Sequence, residues 1–100
     1  MLTGKQKRFL RGLGHALQPL IMIGKGEIST ALINETSSAL AAHELVKVKM
    51  LESCPLDRHE AAEQLAEACQ ADVAQVLGRT FLLYRRAEQP KLALPTSQEA

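Results

Sequence analysis

Aromatic side chains are nearly missing from this sequence. Phe9, Phe81 and Tyr84 are the only three in 100 residues, and there is no tryptophan. A core must therefore be aliphatic. Cysteine is almost as scarce: Cys54 and Cys69 stand alone, without the close Cys pairs of a structural zinc site, and His43 and His59 do not complete one. No metal and no cofactor are expected, and the two thiols are read as reduced. No stretch approaches the roughly 18 apolar residues of a spanning helix. The N-terminus shows no apolar signal core. A basic presequence is a rival reading, but the first helix runs directly into an apparent core strand. The expected location is the cytoplasm. The last absence is the most telling: residues 1–26 hold Lys5, Lys7, Arg8, Arg11 and Lys25 and not one acid.

What is present fits one globular domain. The chain is 46% hydrophobic and 23% charged, ordinary for a soluble protein. A net charge of +1 hides an asymmetry, because residues 57–72 hold Asp57, Glu60, Glu63, Glu67 and Asp72 against Arg58 alone. Such a split points to a polyanion partner for one side of the molecule.

The hydrophobic period places seven elements. Thr3 caps a helix ending near Leu17, with Phe9, Leu10, Leu13 and Leu17 inward and Lys7, Arg8, Arg11 and His15 on the other side. Gly12 and Gly14 weaken this helix and admit the close approach of another backbone. Pro19 opens Leu20-Ile21-Met22-Ile23, read as a buried strand. Gly24 to Glu27 is a turn, and a helix follows from about Ile28 to Ala42, with Ile28, Ala31, Leu32, Ala39 and Leu40 inward. Leu45 to Leu51 alternates: Val46, Val48 and Met50 face one way, Lys47 and Lys49 the other. Asp57 with Glu60 forms a capping box for a helix to about Gln70, with Ala61, Ala62, Leu65 and Cys69 inward. Val73–Leu77 and Thr80–Arg86 make a hairpin across Gly78-Arg79. The expected fold is α/β, in the order α-β-α-β-α-β-β. The domain is expected to span residues 1–87, with a flexible or loosely docked tail at 88–100.

Four features could carry function. The glycine turn Gly24-Lys25-Gly26 opens a helix, a setting that brings backbone N–H groups to a phosphate; a simple tight turn is the alternative. It matches neither a dinucleotide fingerprint, since Ser29 fills the third glycine position, nor a P-loop. Lys7, Arg8 and Arg11 could clamp a phosphate backbone, against a merely solvated helix face. Lys47 and Lys49 suit the same task, or protect an edge strand from aggregation. Arg79, Arg85 and Arg86 surround the last hairpin, with Tyr84 able to stack on a base or to sit in the core. No nucleophile pair and no acid–base dyad is evident, so no catalysis is expected.

Several segments then resemble a known family. Leu2-Thr3-Gly4-Lys5-Gln6-Lys7-Arg8-Phe9-Leu10-Arg11, Pro19 through Gly26, His43-Glu44-Leu45-Val46-Lys47-Val48-Lys49, Val76-Leu77-Gly78-Arg79 and Leu83-Tyr84-Arg85 are similar to the YhbY-type proteins. These are single-domain bacterial members of the CRM (chloroplast RNA splicing and ribosome maturation) RNA-binding family. The resemblance implies a mixed four-stranded sheet with three helices, similar to the C-terminal domain of translation initiation factor three. It implies binding of structured RNA and a role in assembling the large ribosomal subunit. The family's loop is G-x-x-G, and here its fourth position is Glu27.

The reading is a monomeric RNA-binding protein without a small-molecule substrate or a membrane. It contacts RNA through Lys5, Lys7, Arg8 and Arg11, the loop Gly24, Lys25 and Gly26, and flanking Lys47, Lys49 and Arg79. The alternative is an adaptor that docks a basic ribosomal protein on Glu60, Glu63 and Glu67. Restoring the loop pattern by Glu27→Gly is expected to strengthen RNA binding and to cost a little stability, because an acid at a helix start is favourable.

Overall fold

The computed structural model describes residues 2–95; the part of the expected tail beyond Pro95 lies outside the described residues. The elements follow the expected order: α1 (Gly4–Gly14), β1 (Ile21–Ile23), α2 (Thr30–His43), β2 (Leu45–Met50), α3 (Arg58–Cys69), β3 (Asp72–Leu77) and β4 (Thr80–Tyr84). They build one mixed sheet in the order β1-β2-β4-β3. β1 runs parallel to β2, while β4 is antiparallel to both β2 and β3.

Local chemistry sets the helix starts. The Thr3 hydroxyl accepts the Gln6 N–H at 3.1 Å, and the Gln6 carbonyl oxygen accepts the Thr3 N–H at 3.0 Å, a reciprocal capping box. Ser29 caps α2 by accepting the Leu32 N–H. Asp57 caps α3 by accepting from His59 and Glu60. The expected reciprocal half of that box is absent among the described bonds, since the Glu60 carboxylate instead accepts from the Gln64 side-chain amide.

The sheet separates two apolar clusters. On one face α2 and α3 cover Ile21, Ile23, Val46, Val48, Met50, Phe81 and Leu83, joined by Leu40, Ala61, Ala62 and Leu65. On the other face Leu10 of α1 and Leu2 meet Leu45, Ala74, Leu82 and Tyr84, with Leu92 and Leu94 packed against them. Each fully buried leucine contributes roughly 1.5–3 kcal/mol, so the larger cluster dominates stability.

Four expectations about packing change. α1 stops at Gly14, and of its expected inner residues only Leu10 is buried, whereas Phe9 and Leu13 are each 37% exposed. The close approach is made by a side chain at Gly14 alone: a Cβ there would lie 2.5 Å from Leu82 Cδ1, while one at Gly12 would meet nothing within 4 Å. The apolar run at β1 is buried on one face only, for Leu20 and Met22 are 51% and 55% exposed. In α2, Ala31 is exposed and Thr36 takes an inner place, its hydroxyl donating to the Leu32 carbonyl at 2.8 Å.

Candidate nucleic-acid interface

The residues expected to meet RNA fall into three groups. The first is the outer side of α1, where Lys7, Arg8 and Arg11 are exposed and Lys5 is half-buried. None of the four belongs to the apolar cluster through which Leu10 anchors the helix to the sheet. α1 carries no acid in its first turn, and its sequence holds no carboxylate anywhere.

The second group is Lys47 and Lys49. β2 hydrogen-bonds to β1 on one side and β4 on the other, so these lysines do not guard an edge. They project to the α1 face, on the same side as Leu45, because Val46, Val48 and Met50 take the other. Lys47 lies across from Leu82, the residue that fills the space left by Gly14. The lysine pair therefore continues past the last turn of α1 along uncovered sheet.

The third group is the loop after β1. The Glu27 N–H donates to the Gly24 carbonyl at 3.0 Å, closing a four-residue turn with Lys25 exposed near its tip. Among the described residues, Glu27 is one of three non-glycines with positive φ, at 56°. Left-handed backbone favours glycine because it has no Cβ to clash. Gly26 does not carry that conformation. The fourth position of the loop thus needs glycine geometry, and Glu27 adopts it under strain. α2 begins at Thr30, with Ser29 as cap, so the Glu27 carboxylate is outside the first helical turn. The expected stability cost of Glu27→Gly therefore reverses in sign.

Other arginines prove to be structural. Arg79 donates through Nε to the Met50 carbonyl at 3.2 Å and through Nη2 to the Leu51 carbonyl at 2.7 Å, pinning the hairpin turn to the end of β2. Its guanidinium is partly spent before any RNA arrives. Arg85 donates to the Ser37 hydroxyl, the Ser37 carbonyl and the Cys69 carbonyl at 3.0, 2.8 and 3.0 Å, tying β4 to α2 and to the last turn of α3. Tyr84 is buried and is not offered for stacking.

One residue inside the matched motif had no assigned role. Glu44 is fully buried at the end of α2, with φ 63°. Its carboxylate accepts from the backbone N–H groups of Ala87, Lys91 and Leu92. Burial pushes its pKa up, but these donors and the nearby Arg86 outweigh burial and hold it below the ordinary value. Desolvation and the Glu44 charge both raise the Tyr84 pKa. The segment after β4 is thus strapped back across the α1 face, and the Gln6 side-chain amide donates to the Pro95 carbonyl at 2.9 Å. No sequence signal marks this anchor, because its partners are backbone groups.

The acidic residues Glu60, Glu63 and Glu67 are exposed on α3, across the sheet from α1. Among the described residues no cluster of His, Cys, Asp or Glu is arranged to hold a metal. No described helix is long and apolar enough to cross a membrane.

Comparison with known proteins adds an independent line. The sequence model of the CRS1/YhbY (CRM) domain matches residues 2–85. The chain is 41% identical over 91 residues to the probable RNA-binding protein YqeI of Bacillus subtilis, covering 91% of this chain and 95% of that one. It is 34% identical over 94 residues to an RNA-binding protein of Haemophilus influenzae, covering 94% and 95%. The solution structure of the hypothetical protein SAV1595 from Staphylococcus aureus superposes with a TM-score of 0.81 at 41% identity, over 95% of this chain and all of that one.

Proposed function

Because the chain belongs to the CRS1/YhbY (CRM) domain family, we propose that it binds structured RNA, and specifically ribosomal RNA in precursors of the large subunit. One observation carries this reading. The charge asymmetry of the sequence is a two-sided molecule: the cations of α1 and β2 share one face of the sheet, and the acidic stripe of α3 lies on the other. A polyanion approaching the first face meets Lys7, Arg8, Arg11, Lys47 and Lys49 without passing the acids of α3. Lys5 and Lys25 flank that path, with Gly24 and Gly26 shaping the turn that presents Lys25. Arg79 contributes only what its two carbonyl bonds leave over. The names of the relatives, which are RNA-binding proteins, agree with this chemistry.

On this reading the protein is a monomeric, cytoplasmic, non-catalytic assembly factor. It holds folded RNA by phosphate contacts and shape. Titrating a large-subunit ribosomal RNA fragment at several salt concentrations tests the binding mode. The logarithm of affinity should fall linearly with the logarithm of salt, by about 0.7–0.9 per phosphate contacted. A flat response would remove the phosphate model. Crosslinking in cells, followed by sequencing of the bound fragments, tests the target. Fragments drawn from outside large-subunit ribosomal RNA would overturn the assembly role.

A further inference from the structure

α1 roofs only part of its face of the sheet. β1 and the end of β2 stay open, and two parallel rows line them. Leu20 and Met22 project there, because Ile21 and Ile23 point to the opposite core; both are more than half exposed. Lys47 and Lys49 form the neighbouring row: Met22 is the register partner of Lys49, and the Leu20 N–H donates to the Lys47 carbonyl at 3.0 Å. Successive members of each row are about 6.6 Å apart. At the α1 end the apolar row deepens into a groove of about 520 Å³ walled by Leu13, Leu17, Leu20 and Leu92. Its polar lining is Gln18, His43 and Lys47, and none of its described lining residues is acidic.

An apolar row beside a cationic row suits one polymer chemistry: flat, weakly polar rings on one side and phosphates on the other. In paired RNA the flat faces of the bases are stacked away, and the backbone and groove edges are what is offered. An unpaired stretch offers both. We propose that this uncovered strip seats a short unpaired stretch of RNA, its backbone along Lys47 and Lys49 and its bases over Met22, Leu20 and the groove. Gln18 carries both a donor and an acceptor, and it faces the base edge. The proposal rests on the RNA-binding reading and deepens it: α1 supplies phosphate contacts that any RNA can use, and the strip distinguishes looped-out from paired RNA.

The test uses the full chain, an unpaired RNA oligonucleotide, and a fully paired hairpin, each followed by fluorescence anisotropy at one salt concentration. Leu20→Ser and Met22→Ser sit at exposed positions, and circular dichroism checks the fold of each. Each should weaken the unpaired RNA about tenfold, the equivalent of two lost buried methylenes, and leave the hairpin unchanged. Methyl NMR of the unaltered chain needs no variant: unpaired RNA should shift Leu20, Met22 and Leu92, and the hairpin should not. If these variants and signals stay unmoved while charge reversal on α1 abolishes binding, the strip is not a base site, and the RNA-binding reading survives. If no RNA binds in a salt-dependent way, both fail. If the variants instead convert a dimer to a monomer in sedimentation without changing RNA affinity, the strip joins two copies of the chain, and the proposal is wrong.

Discussion

The two faces of the sheet are built by different means. The α2/α3 face is closed by two helices over a continuous aliphatic core, and α3 presents acids to solvent. The α1 face has one helix, a smaller cluster and a strap from residues 87–95, held by the buried Glu44 carboxylate, by the Gln6 amide and by the packing of Leu92 and Leu94. α1 and β2 present cations there, and part of it is left uncovered. The difference teaches a division of labour. The first face supplies most of the burial that stabilises the fold, which frees the second to keep exposed apolar and basic groups that a partner can use.

The sharpest way to break the comparison is to reverse charge on each face in turn. Lys7, Arg8 and Arg11 changed together to Glu should lower RNA affinity roughly a hundredfold or more and reduce the salt slope by about 2. Circular dichroism should stay unchanged, because these side chains are exposed and take no part in the Leu10 cluster. Glu60, Glu63 and Glu67 changed to Lys should leave specific binding intact or add non-specific affinity. Loss of association with ribosomal precursors, with naked RNA still bound normally, would favour the adaptor reading instead.

Next in size is the strap. Glu44→Ala orphans the donors at Ala87, Lys91 and Leu92 and should cost about 2 kcal/mol, the scale of hydrogen bonds to one charged group; urea unfolding measures it. The folded pKa of Glu44 lies below its ordinary 4.5. Its contribution is therefore complete above that pH and is lost as pH falls through the folded value. Glu44→Gln should flatten that part of the acid limb of a stability-versus-pH curve. An unaltered acid limb would mean that other carboxylates set it.

Smaller effects come from two neighbouring glycines of α1. Gly14→Ala forces Leu82 to move and should destabilise by about 1–2 kcal/mol. Gly12→Ala meets nothing and should stabilise by roughly 0.5–1 kcal/mol through helix propensity. Thermal melts of the pair should move in opposite directions. The smallest effect is expected at the loop. Glu27→Gly relieves left-handed strain of about 1–2 kcal/mol and returns roughly 0.4–1 kcal/mol to the entropy of the unfolded chain. A net gain of about 0.5 kcal/mol should appear in the melting temperature, with RNA affinity rising a few-fold.

Much of the fold was legible because it is written in local chemistry and period. Thr3 and Asp57 mark helix starts by their side-chain acceptors. The Val46/Val48/Met50 alternation against Lys47/Lys49 fixes both the strand and its faces. The open face of β1 is not legible in the sequence, because a run of four apolar residues looks the same whether one face or two is covered, and here Leu20 and Met22 are open. Nor is the end of α1, because Leu17 keeps the helical spacing after the helix has stopped at Gly14. Of the expected site, the cations of α1 and β2 do stand on one face, whereas Arg79 is partly committed to carbonyls that only tertiary structure brings near. Glu44 was invisible for the same reason: its partners lie more than forty positions away in the chain.

The placement of β2 between β1 and β4 also governs the order in which the molecule can be assembled during synthesis. Residues 4–14 leave the ribosome before β4 does, yet the surface that α1 packs on needs Leu82 and Tyr84 of β4. Closing β2 against β4 joins Leu45 to Tyr84 and Lys49 to Thr80, pairings of long sequence separation and correspondingly slow formation. The basic helix is therefore translated well before the strand it packs on, and seated late. Between those moments α1 has no completed sheet to pack on, and its cations are not yet held in place.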